Sequence, residues 1–274
     1  SGDRTWIDTI ESCTFTLFAG TLAAGGSNAI NMVYDRDIDP GMSRTRARPI
    51  PSGWISPKHS LVFGIIISLL GSGLFLLYTW KAAFWSLFSV AFYVFIYTIW
   101  LKRRTPQNIV IGGVAGSTPP LIGWIVASQA TIPDNLNPFD LGSPIPWMLF
   151  FLIFFWTPPH FWALALYRSG EYAKVGVPMM PDVKGPVRTL KEAKFYCIML
   201  FGVGSVPCFW PEAGLPLAYA FLSGALTLWY SISVWKIDPH QKFDENGRMS
   251  KAFTSFTRSL GYLAWMFVGV VYTC

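Results

Sequence analysis

The segment of residues 31–57 combines residue types that bind a metal ion and a phosphate. Its sequence is NMVYDRDIDPGMSRTRARPIPSGWISP, in which Asn31, Asp35 and Asp39 recur every four residues. On a helix this spacing keeps the three side chains near one face, with a drift of about 40° per step, whereas Asp37 points elsewhere. Carboxylate and amide oxygens are ligands that Mg²⁺ accepts. The segment therefore predicts a magnesium site on these three side chains.

Arginines follow within a few residues of Asn31, Asp35 and Asp39, which we call the acidic stripe. Arg44, Arg46 and Arg48 fall in a stretch rich in proline and glycine, and guanidinium groups suit a multiply charged phosphate. We predict that Arg44 and Arg48 neutralise a diphosphate leaving group and that Arg46 also binds substrate. Asn28 lies three residues before Asn31, so it is predicted to touch the same substrate.

Two later segments place polar residues inside or beside apolar runs. In residues 156–181, Pro158 and Pro159 lack N–H donors, which predicts a kink with His160 at the break. Because a polar ring at membrane depth is costly, His160 is predicted to act on a substrate, by proton transfer or as a ligand. The other predicted substrate-binding residues lie near the ends of the runs: Lys102, Arg103, Asn108, Arg168 and Glu171.

The elements that position these residues must lie in a bilayer. The chain is 52% hydrophobic and only 13% charged, about half the charged fraction of a soluble domain. Apolar stretches of about 20 residues, long enough to cross the hydrocarbon core, recur along it. Since backbone in lipid must satisfy its own hydrogen bonds, they predict an all-α, polytopic membrane helical bundle. The eight predicted spans are residues 13–33, 60–79, 82–101, 108–128, 145–166, 194–211, 215–235 and 252–273.

The distribution of charge predicts the orientation. Of the 21 Lys and Arg residues, only Arg4 and Lys81 fall on one side of the predicted bundle, and the rest lie in or beside the odd-numbered loops. The positive-inside rule places those loops, with the acidic stripe, in the cytoplasm. The net charge of +6 then reflects orientation and contact with anionic membrane lipid, and no nucleic acid is expected as a partner.

Three segments together resemble the UbiA-like intramembrane prenyltransferases. NMVYDRDIDPGMSRTRARPIPSG is similar to the family's first aspartate-rich motif, NxxxDxxxD. LKRRTPQNIVIGGVAGSTPPLIGW, and WTPPHFWALAL with YAKVGVPMMPDVKG after it, are similar to later signatures of its haem-farnesylating branch. Relatives usually carry a second aspartate-rich motif, where this chain has His160, Arg168 and Glu171.

The resemblance implies one prenyltransferase domain over residues 1–274, with nine spans around a central cavity open to the cytoplasmic side. Because eight spans are visible, the family's first span is expected to be missing. The implied reaction moves the farnesyl group of farnesyl diphosphate to a vinyl group of haem b, and water adds to give haem O. Mg²⁺ on Asn31, Asp35 and Asp39 is the implied cofactor, while haem contact, axial ligation and proton transfer stay open for His160.

The resemblance also implies a setting. The protein is expected to be a multi-pass protein of a bacterial inner membrane. Its implied partners are the two substrates, membrane lipid, and a downstream haem A synthase or terminal oxidase assembly.

Three other functions stay open. A related prenyltransferase could act on a quinone precursor or a chlorin, although the PPH sequence at His160 and the missing second aspartate-rich motif disfavour it. A transporter would place polar residues near the bilayer midplane, whereas the acids here cluster at one face. A non-catalytic haem-handling assembly protein would not need the diphosphate motif.

Overall fold

The fold is helical throughout the part of the chain that can be described. A computed structural model describes residues 5–129, 131–168, 170–205, 209–210, 213–241 and 249–273. Every regular element in these ranges is a helix, which confirms the predicted all-α class. By the density of its contacts the chain divides into two units, residues 1–100 with 114–146 and residues 101–113 with 147–274. The first unit carries the acidic stripe, and the second carries His160.

The first unit is built on a long first helix. Its helices are α1 (Trp6–Tyr34), α2 (Pro57–Leu74), α3 (Trp80–Ala91), continued by a π-helix over Phe92–Leu101, and α5 (Pro119–Ala127), while α4 (Asn108–Ser117) contributes residues to both units. α1 begins at Thr5, whose hydroxyl accepts the Asp8 N–H at 3.2 Å, while the Asp8 carboxylate accepts the Thr5 N–H at 2.8 Å. This reciprocal cap satisfies two donors that the first turn would otherwise leave open. α2, α3 and α5 all pack against α1.

Glycines allow α1 and α2 to approach at backbone distance. A Cβ atom added to Gly64 would lie 2.8 Å from the carbonyl oxygen of Gly26, and one added to Gly71 would lie 2.7 Å from that of Ala19. Small residues at helix contacts are the usual means of close packing in membranes, where burial of apolar surface drives little association. The position of α1 therefore depends on these glycines.

Lys81 fixes the connection between α5 and the following helix. The residue is 2% exposed, and its ammonium donates to the carbonyl oxygens of Pro133 and Asp140, at 2.8 and 2.9 Å, and to Oδ1 of Asn135 at 3.2 Å. These bonds use all three of its donors. Lys81 is an exception to the predicted charge asymmetry. The structure explains this exception, because the lysine is hydrogen-bonded to the loop that follows α5.

The second unit contains the remaining long helices. They are α6 (Ile145–Tyr167), α7 (Met180–Ser205), α8 (Leu217–Trp235) and α9 (Ser250–Thr273). α8 packs against both α7 and α9. At one end, Tyr167 packs against a buried apolar cluster drawn from α6, α7, α9 and the α8–α9 connection: Leu166, Leu190, Ile237, Met249 and Ala252.

The two proline-containing helices of this unit differ in continuity. α6 continues through Pro158 and Pro159 to Tyr167, so His160 lies inside an unbroken helix, and the kink there stays a prediction. A backbone break lies in α7 at Gly185, which has φ 77° and ψ 163° and precedes Pro186. Glycine tolerates this positive φ, and proline starts the next helical segment without needing a donor. α7 consequently begins at Met180, well before the predicted span.

Five of the eight predicted spans coincide with helices that are long and apolar enough to cross a bilayer. They are Pro57–Leu77, Trp80–Leu101, Asn108–Ala127, Ile145–Tyr167 and Leu217–Trp235, with mean hydropathies of 2.4, 1.8, 1.6, 1.6 and 1.4. The other three predicted spans fall on α1, α7 and α9, although the end of the span at 194–211, like Arg4, lies outside the described residues. The chain is thus a multi-pass membrane protein, and the span count and cavity orientation stay predictions.

Replacing Gly64 by alanine should lower the free energy of unfolding by about 1–3 kcal/mol, because the new methyl group meets the carbonyl oxygen of Gly26 and Cγ1 of Ile30, each at 2.8 Å, and the carbonyl oxygen cannot move aside as a side chain can. Thermal unfolding of the detergent-solubilised protein measures the effect. Gly73→Ala is the matched control on the same helix, since a Cβ there meets nothing within 4 Å. Equal stability of the two variants would contradict the close approach of α1 and α2.

Candidate active site

The three predicted metal ligands lie where α1 ends. Asp35 is the C-cap of α1, and its N–H donates to the carbonyl oxygen of Asn31 at 2.9 Å. Asp39 opens a 3₁₀ turn, and its N–H donates to the carbonyl oxygen of Asp35 at 2.8 Å. A regular helix does not continue through Asp39, because Pro40 lacks a donor and disfavours helical backbone before it. These two hydrogen bonds, each between residues four apart, nevertheless keep the helical spacing of Asn31, Asp35 and Asp39 past the end of α1.

Burial separates these residues from their neighbours. Asp35 and Asp39 are 0% exposed and Asn31 is 3% exposed, whereas Arg36 and Asp37 are exposed. Carboxylates taken out of water need nearby positive charge or hydrogen-bond donors. The end of α1 is therefore a place where cations are favoured.

Arg48 supplies one such charge. Its Nη1 donates to both carboxylate oxygens of Asp39, at 3.1 and 2.9 Å, and its side chain is 26% exposed. The buried Thr45 hydroxyl donates to the carbonyl oxygen of Asp39 at 2.9 Å, which orders the turn. Guanidinium has five donors, so Arg48 can contact Asp39 and a phosphate together.

Thr98, in the π-helix after α3, orients Asn31. Nδ2 of Asn31 donates to the Thr98 hydroxyl at 3.1 Å, and Thr98 is 2% exposed. Because the amide nitrogen is used there, Oδ1 is the atom of Asn31 suited to a cation. Sequence reasoning missed Thr98, since a lone threonine in an apolar run carries no spacing signal.

Tyr93 is a second residue that sequence reasoning missed. Its hydroxyl donates to Oδ1 of Asn28 at 3.1 Å. It is also within electrostatic reach of four charged groups of the site: Asp35, Asp39, Arg44 and Arg48. These side chains therefore lie near one another, whereas Arg46, which is exposed like Arg44, is not among the charges that reach Tyr93.

A cavity of about 520 Å³ lies along α1 in the same unit. Its lining residues on α1 extend from Thr16 to Asn28, about 18 Å of helix. Most of the lining is apolar or small, and Asn28 and Tyr93 close the end nearest the acidic residues. An elongated apolar molecule with an anionic head fits this arrangement.

In the second unit, the side-chain amide of Asn108 is hydrogen-bonded to backbone carbonyl groups of the protein. Its Nδ2 donates to the carbonyl oxygens of Thr105 and Pro178, at 2.6 and 3.1 Å, and more weakly to that of Lys102 at 3.5 Å. The residue is 1% exposed. It thereby ties the turn before α4 to the chain before α7.

The charged candidates of this unit lie nearer to solvent. Arg168 Nη1 lies 3.7 Å from the Glu171 carboxylate, and both side chains are about one-third exposed, at 34% and 32%. Lys102 is half-buried and Arg103 is exposed. An exposed ion pair of this kind contributes little to stability, so a role of Arg168 and Glu171 in binding would cost the fold little.

His160 lies in an aromatic, buried setting on α6. It is 6% exposed, and its ring stacks on Trp156 with centroids 4.1 Å apart. Its Nδ1 lies 2.6 Å from the hydroxyl oxygen of Ser259 on α9. The described contacts thus place the candidates of this unit in separate groups, around Asn108, the Arg168–Glu171 pair and His160.

The acidic stripe holds too few protein ligands for a closed metal cage. Among the described residues, no group of three His, Cys, Asp or Glu side chains is placed to hold a metal ion. Two carboxylates and an amide instead suit Mg²⁺, which keeps water or substrate phosphate as its other ligands.

Membrane helices that place an acidic site beside an apolar cavity are typical of enzymes that act on lipidic substrates. The chain belongs to the UbiA prenyltransferase family, which matches residues 3–260. It is 43% identical over 250 residues to a protoheme IX farnesyltransferase of Bartonella tribocorum, covering 90% of this chain and 75% of the relative. It is 41% identical over 255 residues to one of Brucella ovis, covering 92% and 76%. The predicted family is confirmed.

Solved structures agree on the fold. A UbiA homolog from Aeropyrum pernix matches with a TM-score of 0.70 at 17% identity, covering 98% of this chain and 90% of that one. A UbiA homolog from Archaeoglobus fulgidus, bound to DMAPP and Mg²⁺, matches with a TM-score of 0.64 at 16% identity, covering 99% and 90%. The chain therefore has the UbiA fold.

Proposed function

We propose that the protein transfers the farnesyl group of farnesyl diphosphate to a vinyl group of haem b, with addition of water, giving haem O and diphosphate. One observation carries the proposal: Asn31, Asp35 and Asp39 are buried at the end of the helix that lines the apolar cavity. A substrate with a diphosphate head and a long apolar tail suits a polar site next to an apolar cavity. The protoheme IX farnesyltransferases that the chain matches over most of its length support haem as the acceptor.

Mg²⁺ is the cofactor that fits the acidic stripe. Asp35, Asp39 and Oδ1 of Asn31 would hold it together with the diphosphate, as Mg²⁺ sites commonly do. The Archaeoglobus fulgidus homolog bound to DMAPP and Mg²⁺ supports the same pairing here. The ion would supply positive charge to the departing diphosphate.

The arginines complete the diphosphate site. Arg48, already held by Asp39, and Arg44, within reach of the same region, neutralise charge on the diphosphate as its bond to the farnesyl carbon breaks. Arg46 is exposed like Arg44 but is not among the charges that reach Tyr93, so it is assigned a lesser part in binding. Asn28 and Tyr93 lie between the head and tail of the substrate, where the Tyr93 ring can stabilise the allylic cation through its π-face.

The acceptor then forms the new bond. A terminal vinyl carbon of haem b attacks the farnesyl cation, which leaves a carbocation on the neighbouring vinyl carbon. Water adds there and loses a proton, so the product carries a hydroxyethylfarnesyl group.

The second unit is assigned to haem. His160 contacts the haem, and Lys102, Arg103 and Arg168 offer charge to its carboxylates, with Glu171 positioning Arg168. Asn108 is assigned a structural role, because backbone carbonyls use its amide nitrogen.

The setting follows from the same proposal. The protein lies in a bacterial inner membrane with its basic loops and acidic stripe on the cytoplasmic side, in line with the positive-inside rule. Its product then passes to a haem A synthase or to a terminal oxidase assembly.

The deciding experiment is incubation of the detergent-solubilised protein with haem b, farnesyl diphosphate and Mg²⁺, followed by chromatography with mass detection. We expect a haem product heavier by one farnesyl group and one water. Farnesylation of an added quinone precursor or chlorin, with haem unchanged, would assign the protein to another branch of the family. Absence of every farnesylated product would contradict enzymatic farnesyl transfer.

Asp35→Asn and Asp39→Asn should each lower turnover on the order of 100-fold, because each removes a charge from the proposed Mg²⁺–diphosphate site. Asp37→Asn is the control, since Asp37 is exposed and should retain activity within a few-fold. Steady-state rates across a Mg²⁺ titration measure the difference. A similar loss in all three variants would refute the assignment of the buried face.

Arg44→Ala and Arg48→Ala should lose about 100-fold in kcat/KM for farnesyl diphosphate. Lysine at either position should restore activity only in part, because it lacks the two-pronged donor geometry of guanidinium. Lys58→Ala is the control, since Lys58 is a single exposed charge further along the chain. If the Arg44 and Arg48 variants kept full activity, these charges would serve membrane orientation alone.

Gly20→Phe should shorten the prenyl chain that the enzyme accepts. Gly20 lines the cavity, and a side chain there enters open space, so phenylalanine should exclude the far end of the tail. The ratio of activity with geranyl diphosphate to activity with farnesyl diphosphate should rise. Gly25→Phe is the matched control, since it also meets open space on α1 but is not part of the cavity lining; an equal ratio in both variants would place the tail elsewhere.

A further inference from the structure

Ser259 on α9 contacts both His160 and Trp156, whose ring stacks on the imidazole. Its hydroxyl oxygen lies 2.6 Å from Nδ1 of His160, and its carbonyl oxygen accepts the indole N–H of Trp156 at 2.8 Å. The imidazole stacks on both Trp156 and Phe256, with centroids 4.1 and 4.7 Å away. His160 and Ser259 are buried, at 6% and 0% exposed. The ring is therefore fixed in place by one residue and two aromatic neighbours.

The proton of the Ser259 hydroxyl decides which nitrogen of His160 carries hydrogen. Oγ of Ser259 lies 2.5 Å from the carbonyl oxygen of Phe256, and a carbonyl oxygen only accepts. The single hydroxyl proton is committed to that bond, so Oγ faces Nδ1 with a lone pair. Nδ1 of His160 must be the donor.

The other ring nitrogen then bears a lone pair. A charged imidazolium buried against aromatic rings is costly, and a neutral imidazole has one N–H and one acceptor nitrogen. With the hydrogen on Nδ1, Nε2 of His160 can give an electron pair and cannot donate a proton.

We infer that Ser259 is a positioning residue that holds His160 as the Nδ1–H tautomer, so that Nε2 gives its lone pair to the iron of the haem substrate. The inference rests on the proposed function, which alone brings haem to His160. Imidazole nitrogen is a common axial ligand of haem iron. Ligating histidines almost always donate their other N–H to a fixed acceptor, which sets tautomer and orientation. Among the roles open to His160, this geometry selects axial ligation.

Nitrogen NMR tests the tautomer without any turnover. The chain has three histidines, so uniform ¹⁵N-histidine labelling of the full chain in nanodiscs gives three imidazole spin systems. His160→Ala identifies the third by its disappearance. We expect a protonated Nδ1 and an unprotonated Nε2 for His160, and loss of that preference in Ser259→Ala. A protonated Nε2 in the unsubstituted protein would overturn the inference.

Ser255→Ala is the matched control for Ser259→Ala. Ser255 is also a buried serine of α9, one turn earlier, and its hydroxyl lies 3.2 Å from that of Ser233 rather than near His160. Its loss should leave the tautomer of His160 unchanged. Ser259→Thr keeps a hydroxyl and should restore the tautomer, which separates hydrogen bonding from mere loss of packing. Equal effects of Ser255→Ala and Ser259→Ala would overturn the inference.

Haem titration of the same variants tests ligation. The haem-loaded protein should show the absorption and magnetic circular dichroism of a histidine-ligated iron, which His160→Ala removes. Ser259→Ala should bind haem about 10- to 100-fold more weakly, and Ser259→Thr should recover most of that loss. Haem spectra unchanged by His160→Ala would overturn the ligand role. Normal ligation without any farnesylated haem would instead contradict the proposed function, so the two failures are distinguishable.

Discussion

The structure depends on two carboxylates buried at the end of one membrane helix. A carboxylate removed from water is stable only when positive charge or donors surround it. Asp39 meets this need through Arg48, whose Nη1 contacts both of its oxygens. Asp35 lies in the same region, within reach of Tyr93. This concentration of buried negative charge favours a cation, and the arginines beside it favour an anion, in a part of the protein that is otherwise apolar.

The rest of the first unit keeps α1 where that charge is useful. Gly64 and Gly71 bring α2 to backbone distance from α1, so α1 has little freedom to slide or rotate. Thr98 orders the amide of Asn31 from the π-helix after α3. The cavity follows α1 away from the acidic residues, so one helix sets both the position of a polar head and the path of an apolar tail.

The second unit positions its polar ring by other means. His160 is held without any carboxylate, by the hydroxyl of Ser259 and by stacking on Trp156 and Phe256. Hydrogen bonds of neutral groups cost less to bury than charges do, and they fix which nitrogen carries the hydrogen. One chain thus combines a site of buried charge at the end of α1 with a neutral histidine held by hydrogen bonding and stacking on α6.

The sequence by itself determined the helical membrane class, the family, and the distinction between the buried Asp35 and Asp39 and the exposed Asp37. Those features depend on composition and on spacing within a few turns, which local periodicity records. Tertiary structure decided the rest. It kept α6 continuous through Pro158 and Pro159 and placed a backbone break at Gly185, because whether a helix tolerates proline depends on what surrounds it. It also brought together Asn31 with Thr98, Asn28 with Tyr93, and His160 with Ser259, pairs that are 67, 65 and 99 residues apart. No local pattern encodes such contacts, since they form only when separate helices pack.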